Sequence, residues 1–140
     1  MPSFSGSCHC CAVTVVLNTK SADDLPVRSC TCGFCVMRRA RWTSDPTGSV
    51  VVAAASEQAL TRYRFATGTA DFVMCAACGV HVAAVMELDG AAYAVVNVDV
   101  LAVSAELASR ALDVSFAEEA TADRLERRKH SWTPAVVQIG

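Results

Sequence analysis

Charge is scarce in this chain of 140 residues, with 19% Asp, Glu, Lys and Arg against 53% hydrophobic residues. That balance excludes extended disorder, which needs low hydrophobicity and high net charge. An excess of basic residues is lacking too. The net charge is −2 and the pI near 5.9, so no general phosphate-binding surface, and no nucleic-acid partner, is expected. No apolar run approaches the roughly 20 residues of a membrane-spanning helix, and the run 50–55 falls far short of it. Residues 1–6 carry neither a basic nor an apolar targeting region, so a cytoplasmic location is the expectation. Phosphate-binding glycine loops, nucleophile elbows and low-complexity tracts are all missing, which removes the chemistries those motifs carry.

Cysteine is what the chain has in quantity. Seven of its eight cysteines fall into three tight groups: Cys8-His9-Cys10, Cys30-Thr31-Cys32-Gly33-Phe34-Cys35 and Cys75-Ala76-Ala77-Cys78. A disulfide framework fits poorly, because each member of a C-x-C pair would need its own distant partner and reduced thiols are the rule where no export is expected. Metal binding fits well. A C-x-C or C-x-x-C pair sets two sulfurs on one turn, half of a tetrahedral zinc site with Zn–S near 2.3 Å. Cys8, Cys10, Cys75 and Cys78 then make one closed structural site. Cys30, Cys32 and Cys35 are left as three ligands with no fourth, the arrangement of a catalytic zinc with an open position. Two zinc ions per chain are expected. Cys11, next to Cys10, is expected to point away from the cluster as a small buried thiol.

The rest reads as one mainly β domain spanning 1–140, long enough for a single core. Strands are expected at 12–17, 48–55, 60–65, 71–74, 80–87 and 91–98, with Asp89-Gly90 marking an antiparallel hairpin. A short extended piece at 26–29 leads into the central cysteines, and a helical turn is expected within 36–42. One short C-terminal helix of about three turns is expected before Pro134, opened by a capping box at Ser115 and Glu118, with Arg124, Arg127, Arg128 and Lys129 placed late to suit the helix dipole. His9, His81 and His130 are isolated and read as surface or satisfied core histidines. Arg38, Arg39 and Arg41 form a small basic patch beside the central cysteines. It is either a solvated face or, if aimed at the open metal position, a carboxylate-binding group.

The order Gly6-x-Cys8-His9-Cys10, Cys30-x-Cys32-x-x-Cys35, Tyr63-Arg64-Phe65 and Phe72-x-x-Cys75-x-x-Cys78-Gly79 resembles the glutathione-dependent formaldehyde-activating enzyme family, which includes centromere protein V. The resemblance covers roughly residues 4–98, and little is added after 103. It implies a zinc-bearing fold of antiparallel sheets, similar to a small Rab-binding exchange factor and to methionine sulfoxide reductase B. It also implies a structural zinc on the outer pairs and a catalytic zinc on the central trio. Cys11 stands where the family usually has Gly, and Thr31 where it usually has His; neither change removes a ligand. The implied partners are a thiol such as glutathione and an aldehyde, with formaldehyde the expected one. The implied reaction is of the carbon–sulfur lyase type, S-(hydroxymethyl)glutathione synthase-like. A zinc-stabilised binding module, an adduct carrier and a thiol redox protein are the competing readings.

Overall fold

The computed structural model describes residues 2–20 and 22–140. Met1, in the segment read for targeting, and Ser21, in the polar run after the first expected strand, lie outside the described residues. Among the described residues, eleven strands form one branched sheet. β1 (Ser3–Ser7) lies antiparallel to β2 (Val13–Asn18), in which Val13, Val15 and Leu17 point inward and Thr14 and Val16 outward. This two-residue alternation is the signature of a half-buried strand. β3 (Arg28–Cys30) runs into α1 (Gly33–Arg38), followed by β4 (Trp42–Thr43) and β5 (Ser49–Ala54). β6 (Leu60–Tyr63), β7 (Asp71–Cys75), β8 (His81–Leu88) and β9 (Ala91–Asn97) form an antiparallel meander. The β8–β9 turn holds Asp89 at φ 53° and Gly90 at φ 81°, the pair of positive φ angles that a two-residue hairpin turn needs and that Asp-Gly supplies.

Three features depart from the expected all-antiparallel sheet with one helix. α2 (Ser104–Ala108) and β10 (Leu112–Val114) follow β9, and β10 pairs in parallel with β3. After α3 (Thr121–Ser131), the chain adds β11 (Thr133–Ile139), which lies parallel to β5 on one side and briefly antiparallel to β9 on the other. Pro134 is tolerated there because it occupies the second position of the strand, where the two-residue β9 pairing ends and before the β5 pairing starts at Ala135. The capping box does not form: α3 starts six residues later than Ser115, with Ala120 at its N-cap and no side-chain cap. The helical turn also starts earlier than expected, so Cys35 lies inside α1.

The main core is built from β2, β5, β8 and β9 valines and alanines, with Leu17, Leu101 and Leu107. A second, smaller core gathers Cys35, Trp42, Met86 and Trp132 beneath the central cysteines. Gly6 sits where β1 crosses close to Val100 and Leu101, and a Cβ there would run into the Val100 carbonyl, so only glycine permits the approach.

Candidate metal centres and the cavity beside them

β1 ends at Ser7 and β2 starts at Val13, so Cys8 and Cys10 occupy the turn between two paired strands. Cys75 is the last residue of β7, and Cys78 lies in the turn to β8. The β-pairing thus brings two turns 65 residues apart face to face, with Cys10 Sγ 3.5 Å from Cys75 Sγ and 3.8 Å from Cys8 Sγ. The edge of a tetrahedron with 2.3 Å Zn–S bonds is about 3.8 Å, so these separations suit a shared zinc. They are far beyond the roughly 2.05 Å of a disulfide, and all eight cysteines are free thiols.

Backbone amides donate to two of the outer sulfurs. Val13 N–H donates to Cys8 Sγ at 3.3 Å, and Cys78 N–H donates to Cys75 Sγ at 3.4 Å. The latter bond lowers the Cys75 pKa, and the Val80 amide is the first cause that brings Cys78 down to about 6. Hydrogen bonds to a thiolate favour it over the thiol.

Cys30 ends β3, Cys32 is the N-cap of α1 and Cys35 lies one turn in. Their sulfurs all lie within 4.8 Å of one another, and among the described residues no fourth His, Cys, Asp or Glu joins them. The Cys35 thiol is the main cause that lowers Cys30, to about 5; the same bond pushes Cys35 up. Trp42 Nε1–H also donates to Cys35 Sγ at 3.4 Å. Thr31 anchors the loop to β10 through its amide and hydroxyl, both donated to the Val114 carbonyl. Phe34, between the second and third thiols, packs against Tyr63, Phe65 and Phe72 at centroid distances of 5.6, 5.4 and 4.6 Å.

The trio forms part of the wall of a cavity of about 310 Å³, whose apolar walls include Trp42, Phe65, Phe72 and Trp132. The outer four cysteines are not on it. The cavity is cationic: Arg28, from β3, and Arg124, Arg127 and Arg128, from α3, line it, with no Asp or Glu among the lining residues. In the sequence the three α3 arginines suit a helix dipole, and Arg28 carries no signal of a role. Their 124/127/128 spacing on one helix was the available signal, but nothing local showed that α3 packs over the central cysteines.

Arg38, Arg39 and Arg41 do not line the cavity. Arg38 donates to the Gly79 carbonyl, Arg39 terminates α1 with φ 52°, and Arg41 pairs with Asp99. Cys11 is exposed, not buried, with φ 68°. The C-x-C turn forces it into the left-handed region, where glycine costs least. None of the histidines joins a cysteine group: His9 and His130 are exposed, the latter with Nε2 2.8 Å from Glu126. His81 is buried against Trp42 with its Nε2 lacking a partner among the described residues.

Fold and site together define a small, mainly β domain with two cysteine clusters able to hold metal ions. No family model and no curated protein matches the chain. Among solved structures it is similar to a crystal structure of a Rhodobacter sphaeroides protein from a structural-genomics programme, at 28% identity and a TM-score of 0.57, covering 70% of this chain and 87% of that one. No helix is long and apolar enough to cross a membrane.

Proposed function

We propose that the chain is a two-zinc protein of the glutathione-dependent formaldehyde-activating kind, with a structural zinc on Cys8, Cys10, Cys75 and Cys78 and a second zinc on Cys30, Cys32 and Cys35. At the second site a thiol such as glutathione is taken up, and its adduct with an aldehyde is formed or cleaved. The observation that carries this reading is the contrast between the clusters. The outer set has four sulfurs, whereas the three central cysteines line a cavity of about 310 Å³ and no fourth His, Cys, Asp or Glu among the described residues joins them, the donor set that would leave one ligand position for a substrate.

Zinc held by three thiolates supplies a soft, weakly Lewis-acidic position that suits a fourth sulfur and favours its ionised form. The chain's own residues do the rest. β3 and α1 fix the three thiols, Trp42 Nε1–H holds Cys35, and Phe65, Phe72 and Trp132 give the cavity apolar walls. In the forward direction the thiol sulfur bonds to the carbonyl carbon and the thiol proton ends on the carbonyl oxygen, so no oxidant or reductant is consumed.

The test is Cys32→Ser. All three thiols come from six consecutive residues, so their loss opens no long loop, and the variant should melt within a few degrees of wild type. It should carry about one zinc in place of about two by elemental analysis, and lose turnover of a glutathione–formaldehyde mixture. Unfolding would make the trio structural. Full activity would remove it from the chemistry, and thiol binding without turnover in the wild type would replace the enzyme with an adduct carrier.

A further inference from the structure

The charges around the cavity do not balance. Arg124 and Arg127 share one carboxylate: Arg127 grips Glu119 at 2.9 and 3.0 Å, and Arg124 Nε lies 3.5 Å from it. Arg28 donates to the Ser44 hydroxyl, and Arg128 Nη1 to Thr69 Oγ1 at 2.8 Å. Among the described residues neither has a carboxylate within ion-pair distance. Arg128 is only 9% exposed, and its Nε has no acceptor. Four guanidinium groups therefore face one carboxylate. Three thiolates around a divalent ion would add one net negative charge, which still leaves about two positive charges unmatched, with Arg128 buried over the Trp132 ring and the other three arginines half-buried.

Buried cations are stable only when paired, and planar guanidinium groups match carboxylates with two parallel hydrogen bonds. From this geometry we infer that the cavity takes a small dianion, of the dicarboxylate class, that carries no cationic group. No Asp or Glu lines the wall. An ammonium entering this cavity would meet four arginines and no lining carboxylate, so thiols that carry one, glutathione included, bind there more weakly than thiols without one. Resting on the reading above, the ligand also carries a thiol for the central cysteines, which describes a mercaptodicarboxylate.

The chain's two tryptophans, Trp42 and Trp132, are both on the cavity wall, so their fluorescence reports its occupancy alongside calorimetry. Titration of the metal-loaded protein with succinate, mercaptosuccinate, glutathione and cysteamine separates the claims. Saturable, salt-sensitive succinate binding is expected, with mercaptosuccinate at least tenfold tighter than glutathione. Arg128→Gln should weaken both dianions tenfold or more and leave cysteamine unaffected. If that variant does not fold, Arg28→Gln, whose side chain donates to the Ser44 hydroxyl, carries the same test. Absence of succinate binding, or glutathione binding as tight as mercaptosuccinate, overturns the inference. Mercaptosuccinate binding no tighter than succinate supports the dianion site and instead overturns the thiol reading of the cysteine trio.

Discussion

Arg38 Nη1 donates to the carbonyl of Gly79 at 3.0 Å, and this one bond straps the central cysteine cluster to the outer one. Arg38 lies three residues beyond Cys35, and Gly79 follows Cys78 directly. The guanidinium also sits 5.3 Å over the ring of Phe34, so its place is fixed at both ends.

Arg38→Ala should therefore lower stability by about 1 kcal/mol, the typical net worth of one such hydrogen bond. Arg39→Ala, whose side chain is exposed, should stay within about 0.5 kcal/mol of wild type. Thiol affinity should move less than twofold in either. Paired thermal melts and calorimetry check both expectations, and a large loss of thiol binding in Arg38→Ala would return the basic patch to the ligand site.

Removing a ligand from the outer set should be far more damaging. Cys10 and Cys75 are 65 residues apart, so a metal bridging them closes a long loop, and zinc sites of this kind are worth about 10–16 kcal/mol of apparent binding energy in small zinc-dependent domains. Cys75→Ser or Cys8→Ser should abolish the cooperative melt. A normal transition in either variant, read by circular dichroism, would show that the outer cluster does not hold the fold.

Cys11→Gly should stabilise the protein, by up to about 1.5 kcal/mol. A left-handed conformation costs an ordinary residue about 1–2 kcal/mol, and the extra backbone freedom of glycine in the unfolded chain takes back about 0.5–1 kcal/mol. Strain relief wins by that difference. Cys11→Ala keeps the strain and should not stabilise, so equal melting temperatures for the Gly and Ala variants would sink the explanation.

His81 gives a pH dependence with a definite sign. Burial, and then the nearby Arg38 charge, hold its pKa below the usual histidine value. As pH falls below about 6.5, the unfolded chain takes up this proton before the folded one does. Stability is thus fully present above that pH and declines below it, by at most about 1.4 kcal/mol per pH unit. His81→Gln should flatten the melting-temperature profile between pH 7.5 and 5.5 relative to wild type. Parallel profiles would show that His81 carries no such linkage.

The cysteine clusters were legible because ligand spacing is a local property: Cys8-x-Cys10 or Cys75-x-x-Cys78 states its geometry within one turn. The strands at 13–18, 49–54 and 91–97 were legible because buried valines alternate or run together there. β11 was not. Its Pro134 reads as a stop signal, and the strand exists only because β5 and β9 offer it two open edges at once. β10 is three residues with Leu112 exposed, too short to leave a pattern. The arginines of α3 gave the right helix for an incomplete reason, since their dipole role is local while their place on the cavity wall depends on how α3 is docked. Ser115 misled because a matching capping motif was taken by a turn, in which its hydroxyl accepts from the Ala117 amide.

β11 is also the last strand in chain order, and it joins the two parts of the sheet. Along the hydrogen-bonded path, β1, β2 and β5 lie on one side of it and β9, β4, β3 and β10 on the other; Ala135 pairs with Val50 across 85 positions. A growing chain can complete neither the join nor the arginine wall until α3 and β11 have emerged, and contacts so distant in sequence form slowly. The outer cysteines are all present by residue 78. Metal captured there would pin the N-terminal hairpin to the meander as a clasp while the gap between the two half-sheets still stands open, keeping two unpaired strand edges from finding partners on other chains.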